Sequence, residues 1–572
     1  MSRLEKSAFP LACAALALAL LGAYSNHFQN AFHFDDSHTI ESNLYVRDLR
    51  NVPRFFADAR TFSALPANQS YRPLLSTTLA IDHAFSGRSP VAYHVDSFLW
   101  LCAQCALMAL LLGRLAGSRW AGLFGAALFG LHTAVAETVN YVIARGDILS
   151  ALGATAGILL YAQGGRARRC HLYLAPMALG VLSKEQGAMA APLLFLYVGL
   201  IEQRRSVAGL LRPRHFLEAL RPALPAFLVC GALAGVALSQ SAGYSAGAAS
   251  RLWYAATQPI VAAHYFATFL VPLGLTADGD WTAVTSVADP RVAAGIAFLA
   301  AALAAAELAS RNEGTRPAAL GLLWFFVALL PTSSVFPLAE VMNDHRMYFP
   351  FVGLALAAAS LAKLAAERCL PKARPVLAVA AVALLGAHAV GVHCRNLVWR
   401  SEETLWKAVT EASPGNGRGW MNYGLSLMAR ADYPRAERCF TEALRRVPNY
   451  GYAHTNLAIL FGATGRPREA EQHFLQALVL MPRVPSLRFF FARWLDQVGR
   501  GPEAEVRLRQ ALSLSPADPA SRELLMRLLA RRGAWAELAA VARETLGFDS
   551  GNTTAGELLR QAEANLRAGA GP

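Results

Sequence analysis

His33-Phe34-Asp35-Asp36-Ser37-His38 sets two carboxylates side by side, close behind the end of a long apolar segment. Paired acids held near a bilayer surface, where the local dielectric tunes their ionisation, can serve as a general base. The same dipeptide also suits an Asp-rich turn or the N-cap of a short helix over residues 39–45, and it suits divalent-metal ligation. Other polar groups keep it company. His94, Glu137, Arg145, Asp147, Lys184, Glu185, Asp344, His345 and Arg346 all lie at segment ends that fall on one side of the membrane when the loops are counted. Lys184-Glu185 punctuates two apolar stretches with almost no loop between them. Charges so near hydrocarbon are costly, so each marks either a functional site or a structural ion pair.

The elements that must position these groups follow from composition. With 572 residues, 55% hydrophobic and only 16% charged, the chain is too apolar for one soluble domain and too long for a single anchor. Apolar stretches cover residues 9–25, 95–115, 120–139, 148–163, 171–182, 187–201, 223–239, 292–308, 318–336, 347–364 and 375–392, which gives about eleven spans. The net charge of +14 sits in short loops such as Arg166-Ala167-Arg168-Arg169 and Arg204-Arg205 rather than on one face, which argues against nucleic acid as a partner. Every compact basic loop falls on the cytoplasmic side if the N-terminus starts there, leaving residues 26–90 as a first outer loop and the C-terminal third outside. The N-terminal stretch also has the make-up of a cleaved signal peptide, which would leave that loop on the same side. Residues 251–275, with Trp253, Tyr254, His264, Tyr265 and Pro272, are expected to form an interfacial or re-entrant helix on the outer side. The eight cysteines are scattered; Cys102 and Cys105 have metal-like spacing but no second ligand pair, and structural zinc needs four ligands.

Near Cys394 the alphabet changes. Trp420, Gly424, Ala436, Phe440 and Ala443 occupy tetratricopeptide positions, and Leu457, Ala470, Phe474 and Ala477 repeat them one 34-residue unit later. Ala504, Leu508 and Ala511 make a third unit, a degenerate fourth runs through Gly533 and Trp535, and residues 402–414 resemble the second helix of an earlier one. Pro414, Pro448, Pro482 and Pro516 stop a helix at the same phase each time. The expected fold is therefore all-α: a polytopic membrane helix bundle over residues 1–394, then a TPR α-solenoid over 395–572 with units ending near 414, 448, 482, 516 and 550.

The order of motifs is more specific than any one of them. Phe34-Asp35-Asp36 with Ile40 and Asn43, then Tyr71-Arg72-Pro73-Leu74, Tyr93-His94, Ala144-Arg145-Gly146-Asp147-Ile148-Leu149, Lys184-Glu185, and Asp344-His345-Arg346-Met347-Tyr348-Phe349-Pro350 resemble bacterial relatives of the transmembrane and tetratricopeptide-repeat O-mannosyltransferases, within the GT-C superfamily. The resemblance covers nearly the whole chain. It implies a GT-C type bundle and transfer of a sugar, such as mannose, from a polyprenyl-phosphate carrier to a hydroxyl, chiefly of protein Ser or Thr, on the non-cytoplasmic face. It also implies direct inverting attack, with Asp35 or Asp36 as catalytic base. Arg145, Arg346, His345 and Lys184 are then the donors to the departing phosphate, supported by His94, Glu137, Asp147, Glu185, Asp344 and Tyr348. Relatives carry an acidic residue and an Arg before the Tyr348 position. Here Met342-Asn343-Asp344-His345 intervenes and leaves that assignment open among Glu340, Asp344 and His345. No cofactor or metal is expected, with a divalent ion on Asp35 and Asp36 as the alternative.

The expected setting is a bacterial inner membrane, N-terminus cytoplasmic and repeats periplasmic, or an endoplasmic reticulum membrane with lumenal repeats in a eukaryote. The partners would be the lipid-linked sugar, membrane lipids and a protein acceptor or partner on the repeats. The alternative function is a nonenzymatic membrane-anchored TPR scaffold for envelope assembly, which would not require the outer carboxylates. A transporter would place its critical polar groups near mid-membrane, where these segments carry mainly Ala, Leu, Gly and Val.

Overall fold

A computed structural model describes residues 3–241, 250–334 and 337–569. They form helices, turns and loops without a strand, in two compact units, Met1–Ala408 and Val409–Pro572.

The first unit contains α1 (Arg3–Ala23), α2 (Pro73–Ser86), α3 (Val91–Ala116), α4 (Arg119–Gly130), α5 (Val135–Asn140), α6 (Arg145–Gln163), α7 (Leu174–Ser183), α8 (Ala190–Tyr197), α9 (Pro213–Gln240), α10 (Arg251–Leu270), α11 (Pro290–Ser310), α12 (Arg316–Leu329), α13 (Tyr348–Arg368) and α14 (Arg374–Val398). Seven helical stretches among the described residues, built on α1, α3, α6, α9, α11, α13 and α14, are long and apolar enough to cross a membrane, and α7 and α12 are shorter apolar helices. Each of the eleven apolar stretches read from sequence contains helix, although residues 335–336 lie outside the described residues. The shorter ones are cut by local chemistry. α4 stops ahead of buried His132, and α8 gives way to a π-helical turn over Val198–Glu202.

α6 is buried along most of its length and is packed by α3, α7 and α13, whereas α14 and α1 expose most of theirs. Close packing rests on small residues, because lipid gives helices no hydrophobic reason to associate. In α4, a Cβ added to Gly122 would meet the Ala109 carbonyl oxygen at 2.2 Å. Between α12 and α13, Gly321 and Gly353 face each other's carbonyls, each added Cβ falling 2.4 Å from the opposite oxygen. Those neighbours are backbone and cannot rotate away. Gly321→Ala should therefore lower the stability of the bundle by about 1–3 kcal/mol, read as a fall in the thermal unfolding midpoint of the purified protein.

α10 is continuous. Its Tyr254 and Tyr265 hydroxyls donate to the carbonyls of Thr332 and Asn343, which follow α12 and precede α13 at one end of the bundle. It therefore lies against the segment that joins α12 to α13.

α15 (Glu402–Ala412) begins in the first unit, and the helices that follow pair as α16 (Gly417–Ala429) with α17 (Tyr433–Arg446), α18 (Gly451–Ala463) with α19 (Pro467–Leu480), α20 (Pro485–Gln497) with α21 (Gly501–Leu514), and α22 (Pro519–Arg532) with α23 (Trp535–Phe548), before α24 (Thr553–Gly569). Ala436, Phe440, Ala443, Ala470, Phe474, Ala477, Ala504, Leu508 and Ala511 are completely buried. The Phe440 ring fills the space a side chain at Gly424 would need. The period recurs in the ion pairs. Arg466 bridges Glu437 and Glu469, and Arg500 bridges Glu471 and Glu503, at the same places one unit on.

Candidate active site in the first loop

The loop after α1 is held by a buried network centred on Asn140, at the end of α5. Asn140 Oδ1 meets His27 Nδ1 at 2.8 Å and accepts from Asn30 at 2.5 Å, and its amide donates to Asn396 Oδ1 on α14 at 2.7 Å. His94 on α3 adds a bond from its Nε2 to the Asn30 carbonyl at 3.0 Å. Buried polar groups must be paired, so these bonds fix where the loop leaves the bundle.

The two acids then part company. Asp36 is buried, its Oδ2 accepting from the His33 amide at 3.1 Å and its Oδ1 from the Ile143 amide at 2.9 Å, so it ties the loop to the entry of α6. Burial pushes its pKa up to about 7 against the pull of those two bonds. Asp35 keeps 53% of its side chain exposed, with Oδ1 3.2 Å from His38 Nε2. Its amide donates to the Tyr141 hydroxyl at 3.2 Å. Burial raises the Asp35 pKa, but hydrogen bonds from His38 and Tyr141 and the charges of His38 and Arg72 outweigh it and hold the carboxyl below its ordinary value.

The charge of Arg72 reaches this carboxylate, and two further cations neighbour His345. Arg72, just ahead of α2, donates to Glu185 at 3.1 and 3.3 Å, and Lys184 contacts both Asp147 oxygens at 2.7 and 2.8 Å. The charges of Lys184, Arg346 and Arg72 all act on the His345 ring, which lies 6.1 Å from that of Tyr141. Arg346 donates to the Glu340 carbonyl at 3.0 Å and has its carboxylate at 3.8 Å. Glu185 also borders a cavity of about 500 Å³, otherwise lined mostly by apolar side chains including Met189, Leu238, Leu330 and Leu338, with Arg251 at its edge. Among the described residues no group of three or more His, Cys, Asp and Glu is arranged to hold a metal ion.

With this geometry in place, likeness to known proteins is informative. The chain is 24% identical over 485 residues to the Protein O-mannosyl-transferase TMTC3 of Mus musculus, covering 78% of this chain and 52% of that one. Against Tmtc3 of Drosophila melanogaster it is 25% identical over 532 residues, covering 80% and 57%, and against F38B6.6 of Caenorhabditis elegans 22% over 436 residues, covering 73% and 60%. The chain is a homologue of these O-mannosyl-transferases. It spans little more than half the length of the first two. No family model matches the chain. Among solved structures, YrrB, a TPR protein, is 18% identical over 28% of this chain with a TM-score of 0.25, and yeast Tom70 is 13% identical over 72% with a TM-score of 0.26.

Several residues singled out in this homologue from sequence lie away from the exposed carboxylate. Arg145 is no free phosphate donor: its guanidinium is wholly buried, ion-paired to Asp82 at 2.6 Å and Asp96 at 2.9 Å, and donates to the Tyr93 carbonyl and Ser97 and Thr78 hydroxyls. Tyr348 is buried in the bundle core with its ring edge-on to Phe129. His94 serves the loop anchor, Glu137 binds Arg395 at 2.9 Å, and Asp344 accepts from the Thr276 amide at 2.9 Å. Asp147 and Glu185 act as counter-ions to Lys184 and Arg72. Missed as site residues were Arg72, noticed only as part of a motif, and Tyr141, whose hydroxyl touches Asp35. The surviving signal for Arg72 was its place before Pro73, the first residue of α2, which fixes where its side chain starts.

Proposed function

We propose that this chain is an integral-membrane glycosyltransferase that moves a sugar from a polyprenyl-phosphate carrier to a Ser or Thr hydroxyl of a protein on the non-cytoplasmic face. The observation that carries this reading is the exposed Asp35 carboxylate, kept ionised within reach of the charge of Arg72, whose partner Glu185 borders an apolar cavity. In the reaction Asp35 takes the hydroxyl proton as the oxygen attacks the anomeric carbon. The bond from that carbon to the phosphate oxygen breaks, and polyprenyl phosphate departs with inversion. Arg72, Lys184, His345 and Arg346 stabilise the negative charge that grows on the leaving phosphate. The apolar cavity suits the prenyl chain. The repeats recruit the protein acceptor or a partner, in a bacterial inner membrane with the N-terminus cytoplasmic and the repeats periplasmic.

The test is purified protein incubated with a panel of polyprenyl-phosphate sugars and Ser/Thr peptides, products read by mass spectrometry. Transfer from one sugar is expected. No transfer from any would leave the scaffold function. Within an active preparation, Arg72→Ala should lower kcat about 10²-fold, the usual effect of removing one donor to a developing charge, and Arg72→Lys should recover part of it. Unchanged turnover in Arg72→Ala would remove Arg72 from the phosphate site. A C-terminal reporter active only in the cytosol would overturn the proposed topology.

A further inference from the structure

Phe34, immediately before Asp35, has φ +51°, in the left-handed region that bulky L residues rarely occupy. Such a conformation persists only where the surroundings over-determine it. Around Phe34 they do. Its ring meets Tyr141 at 5.6 Å, Trp399 at 6.0 Å and Trp406 at 5.2 Å between centroids, each edge-on.

Two of those three rings come from the segment after α14, and a polar chain locks that segment to the residue preceding Phe34. The Trp406 indole N–H donates to Glu402 Oε2 at 2.5 Å, Glu402 Oε1 lies 2.8 Å from His33 Nδ1, and His33 Nε2 lies 2.7 Å from the Trp399 carbonyl oxygen. His33, Trp399 and Trp406 are all buried. On the other side of the strained residue, the Asp35 amide is tied to Tyr141, and the Asp35 carbonyl accepts from the amide and hydroxyl of Thr39. The Asp35 carboxylate then meets His38 Nε2 at 3.2 Å, so the backbone at Phe34 and this contact together set the direction of the side chain.

We infer that Trp406 and Glu402, on a helix that looks from sequence like part of a repeat, are positioning residues that hold Phe34 in its left-handed conformation and thereby aim the Asp35 carboxylate. They touch neither substrate nor the reacting atoms. This rests on Asp35 being the base. Releasing the clamp lets Phe34 relax toward ordinary backbone angles, swinging the next side chain away from its working direction. A misplacement of about 1 Å can cost about 10²-fold in rate.

The experiment uses the full chain in nanodiscs, with Trp406→Ala, Trp406→Phe, Glu402→Gln and Phe34→Ala variants. Trp406→Ala should lower kcat about 10²-fold with the donor KM unchanged, and Trp406→Phe, which keeps a ring against Phe34, should retain most of the rate. The Phe34→Ala, Trp406→Ala double variant should cost no more than the worse single, because both break one contact. Hydrogen–deuterium exchange gives a readout independent of turnover: residues 33–38 should exchange faster in Trp406→Ala and Glu402→Gln while α6 and α13 keep wild-type protection. Unchanged exchange at 33–38 in both variants would overturn the clamp, and so would a raised donor KM at unchanged kcat. If the wild type transfers no sugar the base assignment fails, and the exchange data still decide whether the clamp exists. Should Trp406→Ala not fold, Glu402→Gln carries the same comparison.

Discussion

Asp35→Asn should abolish sugar transfer while leaving a folded protein. The carboxylate is half exposed, its side-chain partner His38 lies within the same loop, and the Asp35 backbone keeps its own bonds to Tyr141 and Thr39, so the loop keeps its place without the charge. A carboxamide keeps the shape and loses the proton acceptor, and general-base catalysis typically contributes about 10²–10⁴-fold. Asp36→Asn should behave in the opposite way. It replaces one of two oxygens that accept backbone N–H groups with an amide that cannot, so the loop loses its tie to Ile143. The expected result is a lower unfolding midpoint, with rate lost in proportion to folded protein. The pH dependences differ as well. Because Asp35 is held below the ordinary carboxylate value, it is ionised throughout the neutral range, and turnover should fall only as pH drops through its lowered pKa. Asp36 is raised to about 7, so its contribution to stability is complete below the unfolded carboxyl pKa and is lost as pH rises through about 7. A midpoint scan across pH should show that decline in the wild type and not in Asp36→Asn. Full transfer by Asp35→Asn would exclude it as the base.

The distinction between these neighbours was not legible in the sequence, where they are simply two acids after an aromatic residue. What separates them is burial against the entry to α6, a contact made over a long sequence distance. The repeats were readable because each buried position is set by neighbours within one unit, so period alone places Ala436, Phe440 and Ala443. The apolar stretches were readable for a similar reason, since composition decides solvent. Where a polar partner is remote, local pattern misleads. Arg145 sits in a run of motif residues and looks like a free cation, and nothing near it in sequence announces that Asp82 and Asp96 will neutralise it. Tyr348 follows Asp344, His345 and Arg346 closely in sequence yet turns into the core. Glu402 and Trp406 fit a repeat helix well, and only the packing of His33 and Phe34 shows the other allegiance of that helix. The sequence order of motifs carried the likeness to the O-mannosyl-transferases even so.

Arg145→Met should be the most destabilising single change in the membrane unit. The guanidinium is completely inaccessible and serves five acceptors: two carboxylates, two hydroxyls and the Tyr93 carbonyl. Removing it strands Asp82 and Asp96 against one another. Breaking a buried ion pair from one side costs about 3–5 kcal/mol, a large part of the stability of an ordinary domain. Asp82 already sits near 6, raised by burial and by Asp96 while Arg145 pulls it down, so loss of Arg145 drives it toward the protonated form and softens the penalty at low pH. Arg145→Lys should not rescue, because one ammonium cannot reach the acceptors that the planar fork serves together. Adding Asp82→Asn and Asp96→Asn to Arg145→Met should restore part of the unfolding midpoint by removing the stranded charge. A phosphate ligand would behave differently: its loss would leave the fold intact and raise the donor KM. A stable Arg145→Met protein with that kinetic defect would return Arg145 to the active site and show that the triad with Asp82 and Asp96 opens during the reaction.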